Sequence, residues 1–321
     1  MLDYGDNASC RIDTFLPPIL RRIIYFRQAR EKTRSTYGTE NRHLWSAPLS
    51  KANFTATIGS RHMMMPTPHP LLALVAGSSL ITTAMSQTFS QSKAFTFTGS
   101  ALPPELTPST WPVYEDSNPN AKYDRMFEEK NVVVRDGYLE LRVPGGQKPA
   151  GGGRGTISCA EVGTTFEVKY ASVKTYAILS EEPGVCNGMF MYKDYNQETD
   201  IEWISDPNSF ANQQFSSNGS RVLLYTNQGP SGNTDALTVS GRAPVDATSA
   251  VHEYRLDWTQ DAVRFYLDGV LQQTLTDYVP TVGGTWLWNS WVNGDPYFTA
   301  GPPANDAVFK ILRIEMNYNP A

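Results

Sequence analysis

From Phe89 onward the chain is a succession of short runs rich in β-branched and aromatic residues, each closed by turn residues. NVVVRDGYLELRV, Asn131 to Val143, sets two such runs around Asp136-Gly137, and AVRFYLDGVLQQT does the same around Asp268-Gly269. Asp-Gly between β-rich runs is a strong hairpin signal, because both residues tolerate the positive φ of a two-residue turn. TTFEVKYASVKTYAIL, GMFMYK, TDIEWI, RVLLYTN, HEYRLDWT and FKILRIEMNY continue the pattern, with no repeat and no long helical period. Many short strands with turns between them predict an all-β chain built as an antiparallel β-sandwich. The segment PGGQKPAGGGRG (144–155) reads as a loop within that domain. About 235 residues in one β domain, 87–321, is an ordinary size.

The first 86 residues differ from this body. They hold 10 of the 27 Lys+Arg but 5 of the 32 Asp+Glu, which leaves 17 basic and 27 acidic residues, net −10, in 87–321. A body that acidic repels nucleic acid and anionic membranes and suits a neutral substrate. An uncharged, mostly apolar stretch runs from Leu71 to Ala84, followed by the small-x-small run Ala84-Met85-Ser86. Its length fits a signal-peptide core and is too short for a bilayer span of about 20 apolar residues. The expected organisation is a spurious or disordered extension at 1–62, a signal peptide at 63–86 starting from Met63, Met64 or Met65, and a single domain after it. Two weaker features agree with secretion. Cys159 and Cys186 are the only cysteines in the body, so they are an expected disulfide, worth about 3 kcal/mol on the loop-entropy picture. Asn218-Gly219-Ser220 is an expected glycosylation site.

The run NQETDIEW, Asn196 to Trp203, is the chemically loaded one. On a strand, side chains alternate between faces, so Glu198, Asp200 and Glu202 share one face while Thr199, Ile201 and Trp203 share the other and enter the core. Three carboxylates in line repel one another and push one pKa up. A retaining glycosidase uses that arrangement: one ionised carboxylate attacks, and one carboxylic acid protonates the leaving oxygen. The alternation by itself also fits a solvated strand face or a calcium site.

ETDIE resembles the E-x-D-x-E signature of glycoside hydrolase family 16. NVVVRDGYLELRV, GVCNGMFMY, HEYRLDWTQDAVRFYLDGV and WLWNSWVNGDPYFTAGPP are similar, in order, to further segments of that family, most like its fungal members. The resemblance covers roughly residues 110–320. It implies a jelly roll of two curved sheets with a concave substrate cleft, Glu198 as nucleophile, Asp200 as its assistant and Glu202 as general acid/base. It departs from the signature at Thr199, where Ile, Leu or Val is usual; parity turns that residue to the core. Sugar-binding candidates by the same resemblance are Trp291 and Phe298 (or Tyr297), Tyr192 and Tyr225 on strands beside the catalytic one, and Lys174 beside Tyr176. A jelly roll buries many aromatics, so each aromatic has a core reading beside the binding one. His252 and Trp258 read as structural.

The expected function is a secreted, monomeric, retaining endo-β-glycosidase acting on β-glucan-type polysaccharide in the medium or cell wall. The alternatives are a cell-wall transglycosylase on glucan or chitin and a non-catalytic carbohydrate-binding module. No redox or nucleotide cofactor is implied. A structural calcium occurs in relatives, but no compact Asp-rich loop marks one here.

Overall fold

A computed structural model describes residues 88–149, 154–216 and 220–321. The expected leader, 1–62, the signal peptide, 63–86, and the sequon at Asn218 lie outside the described residues. The strands, in chain order, are β1 (Gln91–Thr96), β2 (Leu106–Pro108), β3 (Pro112–Val113), β4 (Tyr123–Phe127), β5 (Val132–Arg135), β6 (Tyr138–Val143), β7 (Gly155–Ile178) and β8 (Cys186–Asp194). After β9 (Gln197–Ile204) comes a short helix, α1 (Phe210–Phe215). Then follow β10 (Val222–Gly229), β11 (Gly232–Arg242), β12 (His252–Trp258), β13 (Val263–Leu267), β14 (Val270–Leu275), β15 (Gly284–Trp291) and β16 (Ala307–Pro320). Both expected Asp-Gly hairpins form: Asp136 and Gly137 have φ 53 and 83, Asp268 and Gly269 φ 49 and 76.

Two antiparallel layers share β7. Its first part, through Val168, pairs with β15 and continues through β8, β9 and β10 to β11. Its second part, from Ala171, pairs with β12 on one side and β16 on the other, in the layer that also holds β13, β14, β6, β5 and β1. Between these parts Tyr170 takes φ 63, an uncommon left-handed conformation for a bulky residue. Its ring packs edge-on to Trp258 at 5.1 Å, so local strain is held in place by core packing. This kink lets one strand leave one layer and enter the other.

The core lies between the layers. Trp203, Trp286, Trp288 and Tyr225 project from the first; Tyr254, Trp258, Phe265 and Phe309 project from the second. Tyr225 stacks on Phe265 at 4.7 Å, and Trp288 Nε1 donates to Thr175 Oγ1 at 2.9 Å, so the layers are joined by ring contacts and by satisfied polar tips. His252 is structural, as expected: its ring nitrogens lie 2.8 Å from Asp268 and 3.0 Å from Asp246.

The expected disulfide is absent. Cys159 and Cys186 are free, buried thiols. β15 runs between their strands: Cys186 pairs with Trp291, and Ser290 pairs with Ala160. Two strand spacings are roughly 9.5 Å, beyond the reach of a disulfide. Burial pushes the Cys159 thiol up to about 12, so it stays a neutral, inert group. A reductant should therefore leave the melting temperature of the purified protein unchanged within about 1 °C; a drop of several degrees in a thermal melt with dithiothreitol would restore the disulfide.

Candidate active site

β9 is clamped in the middle of the first layer. Glu198 pairs with Tyr192, Asp200 with Phe190 and Thr226, and Glu202 with Gly188 and Leu224. The alternation behaves as read. Thr199, Ile201 and Trp203 are buried against the second layer, and Trp203 Nε1 donates to Ser180 O at 3.0 Å. Thr199, the departure from the signature, donates its hydroxyl to Asn227 Oδ1 at 2.7 Å, so the polar group placed in the core has a partner. The three carboxylates emerge together on the opposite face.

Neighbouring strands build the rest of that face. On the row of Glu202, the pairing runs Glu202–Gly188–Asn289–Glu161 across β8, β15 and β7. Glu161 is buried and accepts from Ser109 Oγ at 2.7 Å and Asn289 Nδ2 at 3.1 Å. Gly188 keeps the floor low between Asn289 and Glu202; a Cβ there would meet Asn289 Oδ1 at 2.5 Å. Gln228 Nε2 lies 3.5 Å from Asp200 Oδ2, and the Cys186 thiol points at Glu202 Oε1 across 3.8 Å. Beyond Glu202 the face closes: Cys186, Ile204, Val222 and Leu224 pack under Ala211 of α1. Ser209 caps this helix by accepting from Asn212 N at 3.2 Å.

The electrostatics follow from burial. Loss of water pushes the Glu198 carboxyl up to about 7; the charges of Glu202 and Glu161 add to this, while a hydrogen bond with Asp200 and the more distant Arg125 charge oppose it. The like-charge run thus holds a proton near neutrality, shared within a set of interacting carboxyls. An acid whose pKa rises from 4.5 to about 7 on folding binds more protons folded than unfolded between those values, so its contribution to stability is present below pH 4.5 and is lost as pH rises to 7. Glu198→Gln should remove that slope and raise stability at pH 7 by an amount on the order of 2–3 kcal/mol, read by denaturant unfolding at pH 4.5 and 7. Equal wild-type-to-variant differences at both pH values would refute it.

The other candidates divide. Tyr192 stands on the carboxylate face, 38% exposed, with its hydroxyl pKa raised by burial and by the nearby Glu198. Trp291 and Phe298 are on this side too, but they stack on each other at 5.8 Å near the closed end, and the Arg125 guanidinium lies 4.1 Å over the Trp291 ring. Tyr225 is corrected: its odd-even position on β10 turns it into the core, fully buried, where it lies so close that a Cβ on Gly241 would meet its ring at 2.5 Å. Lys174 is corrected as well. It lies past the Tyr170 kink, on the outer side of the second layer, bridged to Glu253 at 3.2 Å. Sequence reasoning missed Glu161 and Asn289; the signal was a polar residue at alternate positions within the otherwise apolar CAEVG and WLWNSW. Among the described residues no group of three or more His, Cys, Asp and Glu is placed to hold a metal ion.

A jelly-roll sandwich whose outer first-layer face carries two glutamates and an aspartate in line belongs to the class of carbohydrate-active β-sandwiches. The chain is a member of glycosyl hydrolases family 16, whose family model matches residues 119–295. It is 28% identical over 163 residues to Congo red hypersensitive protein 1 of Saccharomyces cerevisiae, covering 49% of this chain and 28% of that one. It is 25% identical over 189 residues to a beta-glucanase of Paenibacillus polymyxa, covering 57% and 71%. The alignment thus spans little more than a quarter of the yeast protein. Among solved structures, the laminarinase catalytic domain of Thermotoga maritima MSB8 superposes with TM-score 0.56 at 17% identity, over 73% of this chain and 100% of that one. A lichenase from a mouse hindgut metagenome gives TM-score 0.53 at 16% identity, over 72% and 99%. These likenesses agree on the fold.

Proposed function

We propose that this protein is a retaining, endo-acting β-glucanase, working outside the cell on 1,3- or 1,4-linked β-glucan. The observation that carries the reading is the common face of Glu198, Asp200 and Glu202, on a strand whose other face is locked into the core by Thr199, Ile201 and Trp203. In the first step a Glu198 oxygen attacks the anomeric carbon, the glycosidic C–O bond breaks, and the Glu202 proton passes to the departing oxygen. In the second step Glu202, now a carboxylate, takes a proton from water as that water attacks the same carbon and releases Glu198. The hydrogen bond with Asp200 pulls the Glu198 pKa down against its burial and so favours the ionised nucleophile. The net-acidic body, the neutral substrate it suits and the signal-like Leu71–Ala84 stretch support an extracellular setting.

The test is incubation with laminarin, mixed-linkage glucan, xyloglucan and chitin oligomers, with a labelled acceptor oligosaccharide present and products read by mass spectrometry. Shorter products with retained anomeric configuration bear the proposal out. Longer labelled products would replace it with the transglycosylase alternative, in which a sugar hydroxyl takes the place of water. Binding without any product would leave a carbohydrate-binding protein.

A further inference from the structure

The retaining pair lies along β9, so a sugar chain whose anomeric carbon sits between Glu198 and Glu202 must run across the strands rather than along them. In the direction of β7 the floor continues through Gly188, Asn289 and Glu161. The next partner on that line is Ser109, whose backbone N–H donates to Glu161 O at 2.9 Å and whose hydroxyl donates to the Glu161 carboxylate. From there the chain leads into β3, Pro112–Val113, which pairs with β4. Glu115, six residues on, returns to the same side to meet Arg125 Nε at 2.8 Å, and Arg125 is the residue lying over Trp291. Val113, paired with Arg125, lies on that side as well. The β3–β4 pairing continues one residue back, with Phe127 N–H donating to Trp111 O at 3.2 Å, so Trp111 shares the side of Val113, two residues on. Ser109, Val113 and Glu115 are buried or half-buried, whereas Trp111 is 51% exposed. Tyr114, of opposite parity, is 68% exposed on the other side.

We propose that Trp111 is the stacking platform of an outer subsite for the β-glucan chain, five strand spacings (β8, β15, β7, β4 and the β3 line) and roughly 24 Å from β9. This rests on the glucanase reading and adds to it a preference for chains long enough to reach Trp111. A large, half-exposed apolar ring beyond the polar cleft floor offers a hexose face what a core aromatic offers its neighbour. The Trp291 ring is already covered by Arg125, so the exposed platform on this side of the cleft falls to Trp111.

The experiment compares wild type, Trp111→Ala and Tyr114→Ala on soluble polymeric glucan and on a tetrasaccharide of the same linkage. The ratio of kcat/KM for polymer to that for tetrasaccharide should fall about tenfold in Trp111→Ala, through KM, and stay at the wild-type ratio in Tyr114→Ala. In a Glu198→Gln background, which binds without turnover, Trp111→Ala should weaken retardation on glucan-loaded native gels by a similar factor. An active wild type with an unchanged ratio in Trp111→Ala, or an equal fall in Tyr114→Ala, overturns the subsite. A wild type inert toward every glucan overturns the function, and the subsite with it.

Discussion

Glu202→Gln should lower kcat on polymeric β-glucan by about 10²–10⁴-fold, the usual worth of a positioned general acid. Gln matches Glu in size and keeps a polar end opposite Gly188, and the Cys186 thiol can still approach its oxygen, so the fold should be retained. What is lost is the proton for the leaving oxygen. An aryl glycoside with an acidic leaving group needs no such proton, and on it the glycosylation step of Glu202→Gln should recover most of its rate. Glu198→Gln should not recover on either substrate, because its missing atom is the nucleophile itself. The pair of rate ratios, measured by burst kinetics on the aryl glycoside and steady-state kinetics on polymer, separates the two roles. If Glu202→Gln cleaves polymer at the wild-type rate, the acid is another residue; if both variants are rescued alike, the assignment of nucleophile and acid fails.

Trp203→Ala should destabilise the domain by about 3–5 kcal/mol. Trp203 is 2% exposed on the core side of β9, its indole N–H satisfied by Ser180 O. Removing it opens a cavity and strands that carbonyl, and the Arg221 guanidinium, 4.8 Å over the ring, loses its seat. Against a total stability of about 5–15 kcal/mol, such a loss should lower the melting temperature by about 10 °C or more. Thermal unfolding checks this. A variant that melts within 2–3 °C of wild type, with activity intact, would mean that the core side of β9 is not what holds the carboxylates in place.

Where the alternation of a single strand decided the matter, the sequence was a good guide. Thr199, Ile201 and Trp203 went inward and the carboxylates outward, and both Asp-Gly turns formed where the φ requirement put them. The misplacements come from pairings between strands that spacing along the chain does not report. Tyr225 required the phase of β10 against β9, and Tyr225 is paired with Ile201, a core residue, so the two share the inward face. Lys174 alternates correctly with Tyr176, but the kink at Tyr170 carries both into the other layer. Cys159 and Cys186 are separated by β15, a strand contributed about a hundred residues later in the chain. Glu161 and Asn289 were legible only as polar interruptions of apolar runs, and their meeting depends on that same late strand.

The shared strand β7 has a mechanical consequence. Glu161, in the floor beside the carboxylate row, and Thr175, whose hydroxyl oxygen accepts from the Trp288 indole N–H, stand on one uninterrupted stretch of backbone. The carboxylate-bearing wall is therefore continuous with its own buttress, and load on the cleft floor passes around the Tyr170 bend into the strands behind it without crossing a loop. A cleft built this way resists gaping while its rim loops remain free to vary, which suits the long, stiff chain of the proposed β-glucan substrate.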